Sequence, residues 1–386
     1  MTVENSVRIG WATTDLTPDE AVVLRGQFHA RVSEGIMDPV TATVLAMDAG
    51  NGERPEGVVF VSCDVVAIPD ALRDSVRENV ADRLDDLPPE WICLHATHTH
   101  TAPEMPSGVI TALADENSDG IFGRYGVSLP VMDPADYVRF AADRIAGAVV
   151  QAWRSREPGQ VGYGLGHAVV GHNRRVVYDN GESRMYGPIN TPSFSHVEGY
   201  EDHSVSVAGT WDARGRLRGL IVNVACPAQV SEQAYKVSAD YWHDTRQELR
   251  KRLGDDIFVL AQCSAAGDQS PHLVGRPEHG NVAGEEDPEM RMWRLTGRSQ
   301  REEIAVRIAD AVTAALPYIE TERTGTPVFK HRVEQIPLSL AEVSERDMRE
   351  ATGEAEQWRQ RYNELKADLD AHPEKREQPQ WYREIS

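Results

Sequence analysis

Gly57-Val-Val-Phe-Val-Ser-Cys-Asp64-Val-Val66 is a continuous apolar, β-branched run, the composition of a strand buried on both faces. Residues 70–84 then change to helical spacing with a charged outer face, and 91–95 return to a short apolar strand. Strand, helix and strand in that order predict α/β layering. The end of the second strand then lies at a carboxyl edge, where open α/β sheets bind ligands. Working outward, residues 7–11 and 40–48 read as strands, and 135–154 as an amphipathic helix facing inward on Val138, Ala142, Ile145 and Val149. Residues 162–177 and 205–224 are strand-rich, with a hairpin turn at 213–216; helices at 240–253 and 301–315 flank a buried strand at 257–263.

Residues 104–135, rich in Gly, Pro and Asp, read as a long loop of the kind that often forms a functional lid. Residues 344–369 read as a polar helix expected to pack poorly, because Met348, Trp358, Tyr362, Leu365 and Leu369 make only a narrow stripe. The expected organisation is one catalytic unit over 1–320, followed over 321–386 by a strand, this helix and a polar tail that looks incomplete.

A formal charge of −21 argues against nucleic acid as a partner, since phosphates are repelled at long range. With no apolar run near the roughly 20 residues of a membrane span and no evident amphipathic face, stable membrane association is not expected either. A small-molecule substrate is. Residues 1–6 lack the basic start and apolar core of a secretory signal, so the cytoplasm is the expected compartment. Four widely spaced cysteines and no Cys-x-x-Cys argue for buried thiols over a cysteine metal site.

The densest chemistry is in His95-Ala-Thr-His98-Thr-His100-Thr. In extended chain, residues i and i+2 face the same way, so His98 and His100 can converge on one metal ion while His95 faces away. Neutral imidazole is a preferred zinc ligand. The bland alternative is histidines bonded to loop backbone. A second segment, Gly267-Asp268-Gln-Ser270-Pro-His272, follows the buried strand and presents Ser270 on a proline-fixed turn. Asp268 there reads as a ligand, a cap or a hydrogen-bond partner. A third, His172-Asn-Arg174-Arg175, offers a guanidinium for an anion or oxyanion. Glu201-Asp-His203 and Ser238-Ala-Asp240 are weaker candidates, and plain surface or turn chemistry competes with each.

In one order, Arg8-Ile-Gly10, Asp15-Leu-Thr-Pro, Thr97-His-Thr-His100, Asn173-Arg174 and Gly267-Asp-x-Ser-Pro271 resemble the N-terminal domain of the neutral/alkaline ceramidase family over roughly residues 7–320. The resemblance implies an α/β mixed-sheet domain of that type without the family's C-terminal part. It implies zinc-assisted hydrolysis of an amide, with His98 as a metal ligand and His100 handling protons or orienting substrate. Arg174 would bind or polarise the substrate, and Ser270 would be the serine beside the metal. Asp240 and Asp268 are carried as further catalytic candidates. Where the family has a second zinc histidine, this chain reads Asn223-Val-Ala-Cys226-Pro227, so His203 or Cys226 would have to replace it. The family's glutamate and tyrosine ligands come from a later region than this sequence covers. An ester or sugar derivative as substrate, or ligand binding without turnover, are the alternatives.

Overall fold

The computed structural model describes residues 6–49, 56–105, 129–274, 288–378 and 380–384. Strands β1 (Arg8–Asp15), β2 (Thr41–Ala49) and β3 (Glu56–Cys63) form an antiparallel meander, and β4 (Ile92–Ala96) adds parallel to β3 after helix α1 (Asp70–Ala81). Helix α2 (Pro134–Arg154) starts on Asp133, whose carboxylate accepts from Ala135 N at 2.7 Å, with Pro134 filling the first position, where no N–H is needed. Both helices cover this half of the sheet. Leu72, Val76 and Val80 of the first meet Val138, Ala142, Ile145 and Val149 of the second in one core. The close approach is set by Gly10, where a Cβ would collide with the Ala152 carbonyl.

Strand β5 (Glu157–His167) leads into three short strands, β6 (His172–Asn173), β7 (Arg175–Tyr178) and β8 (Ser183–Met185), and then β9 (Phe194–Val197). The hairpin of β10 (Ser204–Asp212) and β11 (Leu217–Val224) pairs Val205 with Val224 and Gly209 with Leu220, in the register expected from the turn at 213–216. Helix α3 (Tyr241–Leu253) crosses to the parallel strand β12 (Phe258–Cys263), and β13 (Gln269–Ser270) pairs with β6. Helix α4 (Pro288–Thr296) precedes α5 (Gln300–Thr321), which opens with a Ser299–Glu302 capping box. α3 and α5 cover the second half of the sheet with their own core around Trp242, Leu249, Ile308 and Val312.

The eight-stranded sheet runs β12-β11-β10-β5-β1-β2-β3-β4, and its halves meet where Arg8 and Ile9 pair with Pro158 and Glu157. It folds over at this seam. Trp11, Leu45 and Leu260 pack between the halves, and Trp11 stacks on Phe258 at 5.5 Å between ring centroids. Ser62 and His95 both donate across the gap to the Ala261 carbonyl. The result is a layered α/β fold of helix, sheet, sheet and helix, with the ends of β4, β11 and β12 at one edge.

Two expectations change at the C-terminal side. No strand forms over 321–344 among the described residues. The single isolated bridge there joins Val161 to Thr324, and Val328, Leu338 and Leu340 are exposed because no sheet edge lies beside them. Helix α6 (Glu345–Ala371) buries only Leu369, in keeping with its narrow stripe. Residues 106–128 of the expected lid lie outside the described residues. Among the described residues no helix is long and apolar enough to cross a membrane.

Candidate active site

After β4 the chain turns and does not continue extended. Thr97 N donates to Cys63 O at 2.9 Å, His98 N donates to Val65 O at 3.0 Å, and His98 takes φ 62°. The two imidazoles still meet, with ring centroids 4.9 Å apart, but the left-handed turn brings them together where strand alternation was expected to. Thr99 and Thr101 fix the segment by donating to Ser238 O at 2.8 and 3.0 Å. His98 Nδ1 donates to the Val66 carbonyl at 2.7 Å, which fixes the tautomer and leaves Nε2 with a lone pair. Burial, then the neighbouring His100 and Arg174, lower its pKa against the pull of the Val66 carbonyl, so the ring stays neutral at neutral pH.

His100 is held from three sides. Its carbonyl accepts from Arg31, which is fully buried, and its ring lies against Gly26, where φ is +119° and a Cβ would strike it. Gln229 Nε2 donates to His100 Nε2 at 2.7 Å, and Glu232 Oε2 lies 3.5 Å from His100 Nδ1. Glu232 Oε1 is 3.7 Å from His272 Nε2, which donates to Gln229 O at 2.8 Å. Burial pushes the Glu232 pKa up, yet the His100 hydrogen bond and the charges of His272, His100 and Arg174 outweigh it and hold the group ionised. His272 N donates to Ser270 Oγ at 3.1 Å, and Tyr186 OH donates to the same oxygen at 2.7 Å. Ser270 is fully buried. Arg174 donates to Gly267 O at 2.9 Å and sits with Cζ 5.9 Å from the Tyr186 ring centre. Its Nε is buried without a hydrogen-bond partner.

The structure therefore joins His98, His100, Arg174 and Ser270 in one constellation and leaves three other candidates outside it. Asp240 is not free for catalysis. It caps α3, and its buried carboxylate accepts from Val230 N at 3.1 Å, Ser231 N at 2.6 Å and Tyr241 N at 2.7 Å, clamping the loop that carries Gln229 and Glu232. Asp268 is likewise a brace: its carboxylate accepts from Asn173 Nδ2 at 2.8 Å and its carbonyl from Arg174 N at 2.8 Å. His203 pairs with Glu201 at 3.1 Å, and Glu201 also faces His172 at 3.3 Å, so this imidazole is engaged there and does not join His98. Cys226 is no substitute, because burial raises its thiol pKa well above normal. Among the described residues no group of three His, Cys, Asp or Glu gathers for a metal. Catalytic zinc uses three protein ligands, so these residues offer one suited position, His98, and not a complete zinc site.

Four residues of the constellation carried no assigned role in the sequence. Tyr186 and Glu232 lie in turns without a motif, and Gln229 is marked only by following Cys226-Pro227. His272 ends the Ser-Pro-His segment, which was a signal.

His95 faces away as expected, with Nε2 donating to Ala261 O at 3.2 Å. Burial drives its pKa down to about 4, so the unfolded chain takes up a proton first as pH falls. Its contribution is complete above the unfolded value of about 6.5 and is lost between there and about 4. Allowing for a partly exposed ring edge, that loss is worth about 2 kcal/mol. Urea midpoints at pH 7.5 and 5 are expected to differ less in His95→Gln than in the wild type.

Solved structures match this arrangement of elements, two of them ceramidases. One is a neutral ceramidase from Pseudomonas aeruginosa, at 18% identity with a TM-score of 0.61, covering 83% of this chain and 46% of that one. The other, a ceramidase complexed with C2, also has 18% identity and a TM-score of 0.61, covering 83% of this chain and 45% of that one. The fold is similar to that of the ceramidases. This ceramidase-like chain spans less than half the length of the structures it matches. No protein-family model and no curated protein sequence matches it.

Proposed function

We propose that the constellation hydrolyses an amide bond in a small or medium-sized N-acyl substrate. The observation that carries this reading is the buried Ser270 hydroxyl set between Tyr186 OH and His272 N, with the Arg174 guanidinium beside it and the His98–His100 pair opposite Glu232. Arg174, half-buried, is the charge that would stabilise an oxyanion. Ser270, its oxygen held by Tyr186 OH and His272 N, orients the carbonyl by donating its own hydroxyl proton. Water supplies the oxygen that attacks the carbonyl carbon, and His100, backed by Glu232, takes the water's proton and passes it to the leaving nitrogen as the C–N bond breaks. The ceramidase likeness supports the same class, since a ceramide is itself an N-acyl amide.

Zinc belongs to the proposal at one position. His98 would hold it through Nε2, the nitrogen left open by the Val66 bond. Zinc, when bound, polarises a carbonyl and brings its water to a pKa of about 7. His98 alone does not hold zinc tightly, so about one zinc per purified chain by elemental mass spectrometry, lost in His98→Ala, would show that residues outside the described ones complete the ligand set. Metal-free wild-type protein that still turns over a short N-acyl amide would remove zinc from the reading. No turnover of any N-acyl amide, with zinc present, would remove the hydrolase.

A further inference from the structure

Gln229 is 2% exposed, and its side-chain carbonyl oxygen is buried without a hydrogen-bond partner. Its orientation is fixed by its neighbours. Gln229 Nε2 lies 2.7 Å from His100 Nε2 and 3.3 Å from Nδ1, so the amide nitrogen is the end turned to the ring. That placement leaves the side-chain oxygen turned away from the ring. Asp240 holds the two residues after Gln229 through Val230 N and Ser231 N, and His272 holds the Gln229 carbonyl, so the side chain has little freedom to find another donor. A buried carbonyl left unpaired is costly, and such groups in folded proteins meet a partner when a ligand binds.

A second unpartnered atom lies in the same constellation: the buried Nε of Arg174, a donor. One unpartnered donor and one unpartnered acceptor, in the constellation that holds Ser270 and His100, match in kind the C=O and N–H of a single amide group. We propose that Gln229 touches the substrate and accepts a hydrogen bond from the N–H of the scissile amide, so that the site takes N–H amides over tertiary amides. This rests on the hydrolase reading and names its substrate class.

The test compares a short N-alkyl acyl amide with its N-methylated form, identical in acyl chain, on the full chain. The wild type is expected to favour the N–H amide in kcat/KM by roughly ten- to hundredfold, the range for leaving one buried polar group unpaired. Gln229→Met, with Gln229→Leu as a second variant should the first not fold, is expected to bring that ratio to within about twofold of unity, whatever happens to the absolute rates. A wild type without preference, or variants that keep the wild-type ratio, would overturn the proposal. Should neither compound be hydrolysed, the hydrolase reading fails, and the inference is judged on binding of the same pair by ligand-observed NMR. Tighter binding of the N–H amide, lost in the variants, then supports it. Equal or absent binding of the two overturns it.

Discussion

Arg246→Met is expected to cost about 3–5 kcal/mol of folding stability, the usual result of stranding one partner of a buried ion pair. Arg246 on α3 makes a two-pronged pair with Asp64, at 2.7 and 2.9 Å, and the Asp64 side chain is fully buried. The carboxylate also accepts from Thr41 N at 2.9 Å, Thr41 Oγ1 at 3.0 Å and Thr97 Oγ1 at 3.2 Å. Those neutral bonds would remain, but none neutralises the charge. The pair ties the end of β3, in the first half of the fold, to a helix of the second. Guanidinium melts at pH 7.5 measure it directly. Asp64→Asn combined with Arg246→Met is expected to cost clearly less than the two single changes added together. A loss under about 1 kcal/mol in Arg246→Met would mean the pair behaves like an exposed one.

Arg174→Met is expected to lower kcat by about 10²- to 10³-fold on an N-acyl amide, equivalent to about 3–4 kcal/mol of transition-state stabilisation. KM should change far less if the guanidinium acts on the developing oxyanion more than on the bound substrate. Stability should move little, because the side chain is half-buried and its hydrogen bond to Gly267 O lies at the surface. Millimolar guanidinium should restore part of kcat in Arg174→Met and none in Ser270→Ala. An unchanged kcat in the methionine variant would take Arg174 out of the mechanism.

Much of the fold was legible because its elements announce themselves locally. The change of period between residues 57–66 and 70–84, and the turn between two β-branched runs at 205–224, name elements and neighbours without distant information. The folding-over of the sheet was not legible. It depends on Trp11, Leu45 and Leu260, which are apolar residues on strands already apolar on their other face. The site followed the same division. The order of motifs marked His98, His100, Arg174 and Ser270. Asp240 and Asp268 stand in similar motifs, yet only three-dimensional geometry tells an acid that caps a helix from one that faces a substrate. Tyr186 and Glu232 reach Ser270 and His100 through loops whose paths no local pattern encodes. Even the meeting of His98 with His100 came from a backbone turn and not from strand alternation.

The seam between the two half-sheets bears on how the molecule comes into being on the ribosome. The first half, through residue 153, supplies nearly all of its own core, with Val237 and Ala239 as the late additions. It can therefore consolidate while the second half is still being synthesised, as N-terminal units commonly do. His98 is then in place early, against Val65 and Val66, whereas His100 waits for Ala228 and Gln229. Gln229, Glu232, Ser270 and His272 arrive only with the second core. The constellation is thus completed late, and a nascent molecule sets His98 before it carries the groups that work with it.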